Sequence, residues 1–259
     1  MSTILFHEIV YGPVHSRRMG TSLGVNLLPY DGKLCSFDCI YCECGFNKDF
    51  RTKTKLPDRE NVRAALEDKL QSLRGQNVKP DVITFAGNGE PTMHPEFSGI
   101  IDDTVSLRNR FAPEAKISVL SNGMNVGKDS VFQALQKVDN PILKLDSAFD
   151  ETARLIDRPN SPDYSVAQQV ERYKRFNGNF ILQTMFLRGE FEGKPIDNTT
   201  QEEVSAWLEL VRALRPREVM IYTIDRETPA KRLEKAPVEV LRQIADRVEE
   251  SGIKTNVAG

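Results

Sequence analysis

The sequence has few cysteines and histidines, no long apolar run and no large excess of charge. Its 259 residues include four cysteines and three histidines, and the formal net charge is −2. This balance gives no global attraction to nucleic acid or anionic lipid, although a local basic patch would be averaged away. No apolar run reaches the roughly 18 residues that indicate a membrane span. The first residues also lack the pattern of a secretory leader. We therefore expect a cytoplasmic protein without membrane segments.

The cysteines are all close together in the sequence. Cys35, Cys39 and Cys42 form a Cys-x3-Cys-x2-Cys pattern, and Cys44 follows. A secreted disulfide framework would spread its cysteines along the chain, whereas such clustering indicates a metal or redox site. Thiolates are the usual ligands of iron–sulfur clusters. Three thiolates on a four-iron cube leave one iron open to a small molecule, with Cys44 as a fourth ligand or a bystander.

Zinc is the main alternative metal. Structural zinc sites usually take four ligands from two separated pairs. The sequence contains no second Cys/His pair, because His7, His15 and His94 are scattered singly. The spacing therefore favours an iron–sulfur cluster over zinc.

Short apolar runs alternate with segments of helical periodicity. The strand-like runs are 22–29, 81–91, 116–123, 141–147, 179–189 and 218–225. The helical segments are 58–74, 128–138, 200–214 and 237–251. This alternation favours an α/β fold with a parallel sheet, as a partial barrel or an open sheet. We expect a single domain over 1–259, with an N-terminal extension (1–21), a cluster loop (32–45), and exposed loops at 48–55 and 188–200.

A series of short motifs resembles one family over nearly the whole chain. The motifs are YGPVHSRRMGTSLGVNLLP, CSFDCIYC, ITFAGNGEPT, SNG, KLD, QTMF and YTIDR. The cysteine motif has an aromatic residue, Tyr41, before its last cysteine. In this order the motifs resemble the radical S-adenosylmethionine (SAM) superfamily, in a subgroup with wyosine-type tRNA-modifying proteins. The resemblance implies a partial (β/α)6 barrel, with Cys35, Cys39 and Cys42 holding a 4Fe–4S cluster.

The resemblance also implies a reaction. In this superfamily the open iron chelates SAM, and reductive cleavage of SAM gives a 5′-deoxyadenosyl radical that removes hydrogen from a substrate. The protein's contribution is to bind and orient the reacting molecules and to exclude water from the site. The implied partner is a reductase or a flavodoxin-type electron donor.

The resemblance places the SAM contacts at strand ends. Gly87, Asn88, Gly89 and Glu90 resemble the glycine-rich motif that meets the methionine amino group, where Glu90 would offset the ammonium charge. The other implied contacts, to the adenine, the ribose and the carboxylate, are Tyr41, Ser121, Asn122, Lys144, Asp146 and Gln183. A polar residue at a strand end can equally be a helix cap or a turn former.

Two further groups of residues have open assignments. Tyr222, Asp225 and Arg226 follow the sixth strand and are possible substrate or SAM contacts, or a local surface network. Arg17 and Arg18 are either an anion clamp or a solvated turn.

The substrate is open at this stage. A small metabolite, a nucleoside or a partner protein suits a chain with one cluster. Wyosine-type tRNA chemistry is the nearest analogy, but no cysteine precedes Cys35, and the basic residues form only one local cluster, Lys48, Arg51, Lys53 and Lys55. Binding of nucleic acid is thus possible but not indicated by charge. A non-catalytic iron–sulfur electron carrier is the alternative class, and it would want four protein ligands.

Overall fold

The chain forms two compact units. The structure is a computed structural model that describes residues 4–16, 20–50 and 52–259. The N-terminal unit comprises Leu5–Cys35 and Asn47–Pro141. The C-terminal unit comprises Ser36–Phe46 and Ile142–Gly259, together with Ile4. The boundary between the units divides the cysteine motif, because Cys35 belongs to the first unit and the other cysteines belong to the second.

The N-terminal unit is built on the first three parallel strands. Its elements are β1 (Val10–Ser16), β2 (Gly20–Val25), α1 (Arg59–Gly75), β3 (Val82–Phe85), α2 (Phe97–Phe111), β4 (Lys116–Ser121) and α3 (Asp129–Gln136). Strand β3 lies between β2 and β4 and runs parallel to both, whereas β1 pairs antiparallel with β2. Each parallel strand is followed by a helix, as the alternation of the sequence predicts.

Helix α1 shows how the sequence pattern forms an element of this unit. The side chain of Asp58 accepts a hydrogen bond from the backbone N–H of Asn61 at 2.8 Å and caps the helix. Its predicted apolar face is buried in the structure and consists of Val62, Leu66, Leu70 and Leu73. The four residues of β3 are all buried, as expected for an inner strand of a parallel sheet.

The C-terminal unit continues the same strand–helix pattern. Its elements are β5 (Asn140–Lys144), α4 (Asp150–Asp157), α5 (Val166–Lys174), β6 (Ile181–Met185), β7 (Leu187–Phe191), β8 (Lys194–Asp197), α6 (Gln201–Leu214), β9 (Glu218–Tyr222), β10 (Leu233–Lys235), α7 (Val238–Glu249) and β11 (Lys254–Ala258). Strands β5, β6, β9 and β11 are adjacent in that order and parallel. Trp207 of α6 is buried against Phe186, with ring centroids 5.3 Å apart.

The expectation of an exposed loop at 188–200 is wrong. Strands β7 and β8 form a hairpin there, and β10 pairs with β7 on its other side. The turn consists of Glu192 and Gly193, which have φ values of 52° and 80°. Two consecutive residues with positive φ give a turn whose twist matches that of the flanking strands. The segment is therefore a small antiparallel sheet.

No helix in residues 4–16, 20–50 and 52–259 combines the length and the apolar character that crossing a membrane requires.

Candidate functional site

The glycine-rich turn after β3 holds the backbone next to Cys35. The N–H of Leu34 donates to the carbonyl of Asn88 at 2.9 Å, and the N–H of Glu90 donates to the carbonyl of Leu34 at 3.1 Å. Gly89 has a φ of 134°, and a Cβ there would lie 1.9 Å from the carbonyl oxygen of Leu34. Only glycine fits this approach. The glycine at position 89 is therefore required by close approach to another part of the chain itself.

Asn88 lies within the fold of the N-terminal unit. Its Oδ1 accepts from the N–H of Phe6 at 2.8 Å, and its Nδ2 donates to the carbonyls of Phe6 and Pro29, each at 2.8 Å. The residue has no exposed surface. Its neighbour Gly87 lies against Asn26, whose Oδ1 would be 2.3 Å from a Cβ at Gly87. Both residues thus tie the turn to other backbone segments of this unit.

Glu90 is fully engaged by the turns around it. Its Oε1 accepts from the N–H of Thr92 at 3.1 Å, the hydroxyl of Thr92 at 2.5 Å and the hydroxyl of Ser121 at 2.8 Å. Its Oε2 accepts from the N–H of Asn122 at 2.7 Å. Burial raises the pKa of this carboxyl, and the four donors oppose that effect. Glu90 therefore joins the end of β3 to the end of β4.

Asn122 lies next to the first cysteine of the motif. Its Nδ2 donates to the Sγ of Cys35 at 3.7 Å, and its Oδ1 accepts from the N–H of Met124 at 3.1 Å. The carbonyl of Cys35 also accepts from the Nδ2 of Asn47 at 3.2 Å. The predicted residues Ser121, Asn122 and Glu90 thus form one contact chain that ends at a cysteine thiol.

In the C-terminal unit, the cysteine loop is fixed by the end of α4. The N–H of Asp38 donates to the carbonyl of Asp157 at 3.0 Å, and the N–H of Ile40 donates to the carbonyl of Ile156 at 2.9 Å. The N–H of Cys42 closes a turn on the carbonyl of Cys39 at 3.1 Å. Cys42 is partly exposed, Cys39 is buried, and all four cysteines are free of disulfides.

A buried polar network lies at the end of β5. The hydroxyl of Tyr41 and the amine of Lys144 both contact Oδ2 of Asp146, and Lys144 also contacts the Tyr41 hydroxyl. Oδ1 of Asp146 accepts from the N–H of Met185 at 2.9 Å. Burial and the charge of Asp146 raise the pKa of Tyr41 well above its usual value. Burial opposes protonation of Lys144, but neighbouring groups, Asp146 and Tyr222 foremost, raise its pKa well above the usual range.

Asp157 is a site residue that sequence reasoning missed. Its Oδ1 lies 3.4 Å from the Sγ of Cys39, and its side chain is buried. Burial and the neighbouring Asp146 raise the pKa of the Asp157 carboxyl well above its usual value. Nothing in the local sequence indicates this contact, because the two residues are 118 positions apart.

The other predicted residues of the C-terminal unit have different environments. Gln183 on β6 is buried, and its side-chain amide makes no hydrogen bond within the part of the chain that the structure describes. Arg226 pairs with Glu43 at 2.6 Å, so it extends to the cysteine loop. Asp225 is exposed, and Tyr222 is half-buried with an electrostatic influence on Lys144. Gln183 thus offers a polar group in the middle of β6.

Several other predictions concern the surroundings of the motif. Cys44 is buried. Of the basic cluster, Lys48, Lys53 and Lys55 are exposed, and Arg51 lies outside the described residues. Arg17 and Arg18 lie outside them too. Within 4–16, 20–50 and 52–259, no three His, Cys, Asp or Glu side chains converge to hold a single metal ion.

A family comparison decides the assignment. The model of the radical SAM superfamily matches residues 31–199, from the cysteine loop to the residues before α6. The chain belongs to the radical SAM superfamily. It is therefore an enzyme whose cofactors are a 4Fe–4S cluster and SAM, and members of this superfamily need an electron donor.

Curated relatives extend the likeness over most of the chain. One is named GTPase Obg, from Brachyspira hyodysenteriae, and is 30% identical over 85% of this chain and 30% of its own length. Another is a UPF0026 protein from Helicobacter pylori, 29% identical over 90% of this chain and 72% of its own length. This chain therefore spans less than a third of the first relative and under three quarters of the second.

Solved structures share the fold. A radical SAM methyltransferase from Sphaerobacter thermophilus has a TM-score of 0.67 and 15% identity, covering 92% of this chain and 65% of its own. A structure of TYW1 with a lysine-pyruvate adduct bound has a TM-score of 0.58 and 15% identity, covering 90% of this chain and 74% of its own. These comparisons confirm the predicted α/β fold of the radical SAM partial-barrel type, which the TYW1 structure shares.

The residues of the chain fit the cofactors of the superfamily. None of the four cysteines, all of which lie within the described residues, is joined in a disulfide, and cysteine sulfur is the donor type that iron–sulfur clusters use. An amide donor lies against Cys35, and a carboxyl lies against Cys39. Metal ligands in proteins are usually oriented by such outer hydrogen bonds.

Proposed function

We propose that Cys35, Cys39 and Cys42 hold the 4Fe–4S cluster, and that SAM binds beside it. One observation carries this assignment: in both units a cysteine of the motif contacts a residue that follows a parallel strand. Cys35 contacts Asn122, directly after β4, and Cys39 contacts Asp157, whose side chain bonds to Asp146, just after β5. Sites in parallel α/β folds are built at this end of the strands.

The cofactors would supply the hard chemistry, which is the reductive cleavage of SAM to methionine and a 5′-deoxyadenosyl radical that would abstract hydrogen from the substrate. The chain would position SAM through two kinds of group. Gln183 and Lys144 would contact it directly, since an open amide and a protonated amine can bond its polar groups. In the C-terminal unit, Tyr41 and Asp146 would hold Lys144 in place. In the N-terminal unit, the Gly87–Glu90 turn, Ser121 and Asn122 would hold Cys35 in place.

We propose that the substrate binds to this radical SAM domain and that its reaction needs no second iron–sulfur cluster. A small metabolite, a nucleoside or a partner protein fits this description. The electron donor is proposed to be a reductase or a flavodoxin-type protein. Four clustered cysteines without a disulfide favour the reducing cytoplasm as the compartment.

tRNA-base modification of the wyosine type is the second candidate. The observation in its favour is the exposed group of Lys48, Lys53 and Lys55, which directly follows the cysteine loop in sequence. Lysines of this kind neutralise phosphates, and the resulting binding weakens steeply with salt.

The first experiment separates the enzyme from an electron carrier and from a zinc protein. Anaerobic reconstitution should give about four irons per chain, and Cys39→Ala should lose them. Cys44→Ser is the matched control and should keep them. Addition of SAM and dithionite should release 5′-deoxyadenosine. An intact cluster that never yields this product would overturn the enzymatic proposal.

The second experiment addresses the substrate. Candidate nucleosides, metabolites and tRNA are offered with deuterium at the reactive positions, and mass spectrometry reads the label in 5′-deoxyadenosine. Label from tRNA, together with salt-dependent tRNA binding that Lys48→Ala/Lys53→Ala/Lys55→Ala weakens, would establish the second candidate. Absence of both results would exclude it.

A further inference from the structure

The side chain of Asn122 lies next to the first cysteine of the motif. It was predicted to contact SAM, but its side-chain amide points at a cysteine instead, with Nδ2 3.7 Å from the Sγ of Cys35. Asn122 is buried, and Cys35 is half-buried. An N–H group near a thiolate sulfur forms a hydrogen bond whose strength grows in a poorly hydrated site.

The side chain of Asn122 is held in this orientation by its own turn. Its Oδ1 accepts from the N–H of Met124 at 3.1 Å, which leaves Nδ2 facing the sulfur. Its backbone N–H donates to Oε2 of Glu90 at 2.7 Å. Because the carbonyl group is engaged by Met124, an amide flip would lose that bond and turn Oδ1 toward the sulfur. The donor is therefore fixed by the fold.

The backbone around Cys35 is also held by hydrogen bonds. The backbone of Leu34 bonds to both Asn88 and Glu90 of the glycine-rich turn, and the carbonyl of Cys35 accepts from Asn47 at 3.2 Å. Glu90 thus anchors both partners, Cys35 through Leu34 and Asn122 through its backbone N–H. The contact between amide and sulfur is the product of this rigid turn.

We propose that Asn122 is a positioning residue that sets the reduction potential of the cluster through a hydrogen bond to the Cys35 sulfur; this inference rests on the proposed assignment of Cys35 as a cluster ligand. Hydrogen bonds to ligand sulfurs stabilise the more negative, reduced cluster and raise its potential. Asn122 thereby makes the cluster easier to reduce, and the electron needed for SAM cleavage arrives at a less negative potential.

The test measures the midpoint potential of the reconstituted protein by a redox titration monitored by electron paramagnetic resonance. Asn122→Asp keeps an acceptor for Met124 but has no N–H to donate. Asn122→Leu removes both bonds at a similar size. Each variant should show about a tenfold lower ratio of reduced to oxidised cluster at a fixed potential near the midpoint, which for one electron is about 59 mV.

The matched control is Asn125→Asp, in the same turn. Its amide donates to the hydroxyl of Thr92 at 3.3 Å, so the substitution adds the same charge without removing the donor to the sulfur. The ratio of reduced to oxidised cluster in Asn125→Asp should stay within about twofold of the wild-type ratio. Iron content and unfolding by urea are measured for every protein.

The outcomes are distinct. A lower potential in both Asn122 variants, with full iron and an unchanged control, supports the inference. An unchanged potential with full iron overturns it while leaving the proposed function intact. Loss of iron from the Asn122 variants alone overturns the tuning role in favour of a purely structural one. Failure of the wild type to hold a cluster would overturn the proposed function itself.

Discussion

Gly89→Ala is the substitution for which the structure gives the sharpest expectation. Gly89 has a φ of 134°, and a Cβ there would lie 1.9 Å from the carbonyl oxygen of Leu34. Real Cβ atoms do not come within 3.0 Å of such an atom, so one backbone must move by about 1 Å. Leu34 directly precedes Cys35, and the movement would therefore reach the cysteine.

The magnitude follows from the backbone. A side chain in a glycine-only conformation costs about 1 to 3 kcal/mol. The displacement also weakens two backbone bonds, from Leu34 to Asn88 and from Glu90 to Leu34, each of which contributes about 0.5 to 1.5 kcal/mol. We expect the free energy of unfolding to fall by about 2 to 6 kcal/mol, and less than about half of the wild-type iron to be incorporated.

Two other glycines provide controls. Gly193→Ala, in the hairpin turn, has a φ of 80° with no atom within 4 Å, so it should cost only about 1 to 2 kcal/mol. Gly75→Ala, at the end of α1, meets no atom within 4 Å and has no positive φ, so it should be neutral or stabilise by up to about 1 kcal/mol. Urea unfolding and iron content are measured together. If Gly89→Ala loses no more stability than Gly193→Ala and binds iron fully, the reasoning is refuted.

Two further predictions concern buried polar groups. Tyr41→Phe should lower the free energy of unfolding by about 1.5 to 3 kcal/mol, because it removes a hydroxyl bonded to charged partners. The control Tyr30→Phe, at a side chain that is 52% exposed, should change the free energy of unfolding by less than about 0.5 kcal/mol. Equal effects of the two substitutions would contradict a stabilising role of the Tyr41 hydroxyl. Burial raises the pKa of Glu90, so the folded state binds its proton more tightly than the unfolded chain does. The free energy of unfolding of wild type relative to that of Glu90→Gln should then fall as pH rises from about 4.3 through the folded pKa. If urea unfolding shows that the difference between the two proteins does not change across that range, the reasoning is refuted.

The sequence predicted the elements with strong periodicity. Each of the six predicted strand segments contains or overlaps a parallel strand, and the predicted helices at 58–74 and 200–214 differ from α1 and α6 by one residue at most at each end. Helix α2 was not predicted, and its first turn contains Gly99, a poor helix former. The hairpin at Glu192 and Gly193 was missed because its turn depends on two positive φ values, and glutamate does not indicate one.

The positions of site residues could be predicted more readily than their directions. Glu90, Asn122 and Asp146 were expected near a site because the motifs that carry the family resemblance place them at the ends of predicted strands. Which atoms their side chains contact depends on neighbours that are distant in sequence. Asp157 reaches Cys39 across 118 positions, and Asn122 reaches Cys35 across 87. No local pattern encodes such pairs.

These contacts change the roles that the strand-end residues can have. Each carboxylate oxygen of Glu90 and Asp146 accepts at least one hydrogen bond from the chain. A ligand that took either carboxylate as its main partner would have to replace bonds already made, and the leftover buried donors would cost free energy. Gln183 has no such bonds to lose. Substitution of Gln183 should therefore weaken SAM binding with little loss of stability, whereas substitution of Glu90 or Asp146 should disturb the fold that positions the site.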